Sequence, residues 1–60
     1  MTRKDYTAIA TAVAEVLRTC EEASAEFSAV SFLATKLADV CQADNVRFDR
    51  EKFLTACELV

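Results

Sequence analysis

Sixty residues with seven basic and ten acidic side chains, three cysteines, and no histidine, glycine or proline leave few ways to build a stable domain. A chain this short buries only about 60% of the surface its unfolded form exposes, so it needs disulfides, a metal, self-association or tight packing. An odd cysteine count, without histidine or a C-x-x-C spacing, weighs against the first two.

The hydrophobic fraction is 53%, yet eleven of those residues are alanine, so the bulky inventory is ordinary. A net charge of -3 opposes non-specific attraction to nucleic acid or anionic lipid without excluding a local basic patch. The opening "MTRKDYTAIA" reaches Asp5 early and no long apolar stretch follows. That argues against a signal peptide, and no run approaches the roughly 18 apolar residues of a membrane span. The expected setting is a reducing cytoplasm with free thiols.

Without glycine or proline, turns fall to Asn, Asp and Ser, and helix is the default. Thr2 is a candidate N-cap, with Asp5 three residues on as a carboxylate form of the capping box. Tyr6, Ile9, Ala10, Val13, Val16, Leu17 and Cys20 then recur at helical spacing, opposite Thr7, Thr11, Glu15 and Arg18. The first helix is expected over about residues 3–20. "TCEEASAEF" breaks the period and offers Thr19 with Glu22, or Ser24 alone, as caps for a second helix over about 25–43. Its inward set is expected to be Phe27, Val30, Leu33, Ala34, Leu37, Val40 and Cys41. Asn45 is expected to close this helix in the left-handed conformation.

Asp49 is a cap for a third helix over about 50–58. Phe48 before it and Phe53 four residues inside have the spacing of a hydrophobic staple, with Ala56, Cys57 and Val60 toward the core. The predicted architecture is one all-α domain over residues 1–60: a small three-helix bundle, in which an antiparallel hairpin is crossed by a short third helix.

Chemistry-bearing patterns are sparse. Cys20 and Cys41 fall at opposite ends of helices about 25 to 30 Å long, and all three thiols lie on apolar faces, where they read as small hydrophobes. No cofactor and no metal site are expected. There is no histidine base, phosphate loop or nucleophile elbow. The acidic pairs Glu21/Glu22 and Asp39/Asp44 lack room for a substrate pocket in so small a bundle, so an enzyme is not expected.

Arg47, Arg50 and Lys52 around the second turn permit a helix-turn-helix reading. Asp44, Asp49 and Glu51 in the same segment disfavour phosphate contact. More informative is Phe32, which projects roughly 150° from the Val30/Leu37 face, close to Ser28, Lys36 and Asp39. Beside it Ser24, Ser28, Ser31 and Thr35 form a strip of small hydroxyls suited to close helix contact. Either the third helix covers Phe32, or the ring belongs to an interface with a protein partner or a second copy.

The two ends together, "MTRKDYTAIA" and "ADNVRFDREKFLTAC", resemble a family of short, largely uncharacterised proteins encoded by bacteriophages and prophages, many of actinobacterial hosts. The match covers about 25 of the 60 residues. Family members often read Pro where Val46 stands and stop with Gly after the cysteine, whereas this chain continues Glu58, Leu59, Val60. The resemblance implies a phage accessory product in the host cytoplasm and carries over no site residues. The expected work is binding without turnover, through Phe32, Ser28, Ser31, Thr35 and Lys36 on the second helix, with Arg47 and Arg50 at the second turn. Nucleic-acid binding and a purely structural oligomer are the alternatives.

Overall fold

A computed structural model describes residues 1–59; the inward position expected for Val60 lies outside them. Three helices form, α1 (Arg3–Leu17), α2 (Ala25–Asp44) and α3 (Arg50–Ala56), and each packs against the other two as an all-α three-helix bundle. No helix is long and apolar enough to cross a membrane among the described residues.

Local chemistry sets each helix start. Thr2 Oγ1 accepts the Asp5 N–H while the Asp5 carboxylate accepts the Thr2 N–H at 2.9 Å, which closes the capping box. Ser24 Oγ accepts the Phe27 N–H at 3.0 Å, so Ser24 is the cap of α2. Thr19 is not a cap: its hydroxyl donates to the Val16 carbonyl, and with the N–H groups of Thr19 and Cys20 it tightens the end of α1 into i→i+3 turns. Helix α1 therefore stops at Leu17, short of the expected Cys20. At α3, Asp49 accepts the Lys52 N–H and the staple forms, with the Phe48 and Phe53 rings 5.4 Å apart.

The helix ends differ from expectation. Asn45 is extended (φ -146°, ψ 111°), and it closes the turn by accepting the Arg47 N–H on its side-chain oxygen at 3.0 Å. The left-handed residue is Glu58, at φ 67°. Around it the Glu58 N–H reaches the Thr55 carbonyl and the Leu59 N–H the Leu54 carbonyl, the bond pair of a Schellman end, so α3 stops at Ala56 rather than residue 58.

The hairpin is antiparallel: the Met1 amine lies 3.5 Å from the Asp44 carboxylate, which brings the start of α1 to the end of α2. Helix α3 follows the direction of α1. Phe48 meets Tyr6 edge-on at 4.7 Å at one end, and Glu58 pairs with Arg18 at the other. The core comprises Ala10, Val13, Ala14, Leu17, Ala34, Ala38, Cys41, Phe48, Phe53 and Cys57. Tyr6, Ile9, Phe27, Val30, Leu37, Leu54 and Leu59 pack around it.

Four residues expected inside are outside: Val16, Leu33, Val40 and Ala56 are exposed, while Ala14 and Ala38 are buried in their stead. The physical reason is close approach. Ala10, Ala34 and Ala38 are wholly buried, and a small side chain there lets one helix backbone settle onto another. Centring α2 on the Ala34/Ala38/Cys41 line turns Leu33 and Val40 roughly 100–120° away, toward solvent.

Candidate interaction surface

Helix α2 is 20 residues, about 30 Å, close to the bundle's longest extent of 32 Å. Its most buried line, Ala34, Ala38 and Cys41, is made of small residues flanked by half-buried Phe27, Val30 and Leu37, while three large apolar side chains face outward. Phe32 is 64% exposed, Leu33 56% and Val40 63%. Helix α3 does not cover Phe32. The Lys36 ammonium instead stands 5.1 Å from the centre of the Phe32 ring, one turn along the same helix. With exposed Ala29 and Ala43 beyond them, these residues make a continuous apolar strip with one central cation.

The hydroxyl strip is bonded within α2. Ser31 Oγ donates to the Phe27 carbonyl at 2.8 Å and Thr35 Oγ1 to the Ser31 carbonyl at 3.1 Å, and both residues are half-buried. Their donors are thus satisfied within α2 itself. Ser24 is spent on capping, and Ser28 alone is exposed beside Phe32. The apolar flank of Phe32 is on the other side, formed by Leu33 and Val40.

The second turn does not join this strip as a basic patch. Arg50 is half-buried and bonded to Asp39 at 2.5 Å, which neutralises it against α2 two turns from Phe32. Arg47 is exposed at the rim of a shallow, open depression shared with Phe48, Asp49, Arg50, Glu51 and Leu54, where the charges are mixed.

The thiols sit apart. Cys41 and Cys57 are in the core, and burial pushes both up, away from the thiolate form, with the Asp44 charge adding to the effect at Cys41. Cys20 is half-buried beside the first turn, where its thiol lies 3.5 Å from the Val16 carbonyl. Among the described residues no three metal-ligating side chains come together.

Leu33 and Val40 belong to the surface although their periodicity placed them inside. The signal that distinguishes the two faces is the alanine pair Ala34 and Ala38, which matches Ala10 and Ala14 across the hairpin in spacing and size. No family model, curated protein or solved structure matches the chain.

Proposed function

We propose that this chain is a non-catalytic binding domain whose working surface is the outer face of α2, where Phe32, Leu33 and Val40 dock against a helix of another polypeptide chain. The observation that carries the reading is the group of three large apolar side chains that α2 leaves exposed. Phe32 is 64% exposed, Leu33 56% and Val40 63%, and such a patch is left for a partner to cover. A helix laid along this face meets apolar anchors at i, i+1 and i+8, with the aliphatic stem of Lys36 between them. The mechanism is occupation of a surface, without turnover. The resemblance of the chain's two ends to phage-encoded products supports a setting in the cytoplasm of a bacterial host, and the α2 face is the means by which such a product would act on a protein there.

The test is a photo-reactive benzophenone side chain in place of Ala29, at the edge of the strip, against the same group in place of Thr11 on the far side of α1. Irradiation in cells should give one discrete protein adduct from position 29 and none from position 11. Equal labelling from both positions, or adducts with nucleic acid only, would reject the reading.

A further inference from the structure

We draw no further inference here: the strongest candidate, the exposed apolar strip of Phe32, Leu33 and Val40 along α2, belongs to the surface already described, and nothing in the structure shows what covers it.

Discussion

Arg18 and Glu58 tie the end of α1 to the residue beyond α3, the Arg18 Nε 3.1 Å from one carboxylate oxygen and a terminal nitrogen bonded to the other. Glu58 makes this contact from a left-handed backbone, φ 67°, a conformation that costs roughly 1–2 kcal/mol for a residue with a Cβ and almost nothing for glycine. Glu58→Gly should therefore hold or raise the melting temperature, since the exposed pair that it loses contributes less than the backbone relief. Glu58→Ala, which loses the pair and keeps the backbone cost, should melt lower. If Glu58→Gly melts below Glu58→Ala, the Schellman end does not form as described.

The same pair sets the response to acid. Arg18 holds the Glu58 carboxyl below the usual carboxylate range, and the Thr2 N–H and hydroxyl do the same for Asp5. Both groups bind protons less readily folded than unfolded, so their stabilisation is complete at neutral pH and is lost as pH falls below about 4. Melting temperature should be level down to about that value and decline beneath it, with a shallower decline in Glu58→Gln. A chain whose melting temperature does not change down to about pH 2 would show that neither contact matters to stability.

Tyr6 packs its ring on Phe48, but its hydroxyl is buried without a hydrogen-bond partner. An unsatisfied buried hydroxyl costs about 1–3 kcal/mol, and Tyr6→Phe keeps the ring while removing it. The variant should gain about 1 kcal/mol, seen as a rise of roughly 4–8 °C in melting temperature. Destabilisation would mean that an ordered water serves the hydroxyl.

Phe53 and Phe32 are the same side chain in opposite circumstances, one 4% exposed and the other 64%. Phe53→Ala should cost about 3–5 kcal/mol, comparable to the whole stability expected of a domain this size, and leave the chain largely unfolded. Phe32→Ala, measured in urea at low micromolar concentration where any association is absent, should change stability by no more than about 0.5 kcal/mol. Equal losses would place both rings in one core.

The parts of this fold legible in the sequence are those decided by neighbours along the chain. Thr2 with Asp5, Ser24 with the Phe27 N–H, and Phe48 with Phe53 each need only a few residues of context, and each contact is present. The roll of α2 about its axis was hidden because that helix is apolar on nearly every side. Leu33 and Val40 compete with Ala34 and Ala38 for the interior, and the winner is settled by how closely α1 can approach. Phe32 was recognisable as misplaced, whereas the two residues that make its surroundings apolar were not. Asn45 departs from the expected conformation for a related reason: its side chain caps the following turn, which frees its backbone from the left-handed region.

The line of alanines inside α2 has one more consequence. Because the bundle is held by small residues on one side of the helix and meets its surroundings through larger ones on the other, the two sets of positions can change independently. Any enlargement of Ala34 or Ala38 would force the helices apart, so those sites are frozen. Positions 29, 32, 33, 36, 40 and 43 are exposed, so substitutions along that single helix face leave the core packing untouched.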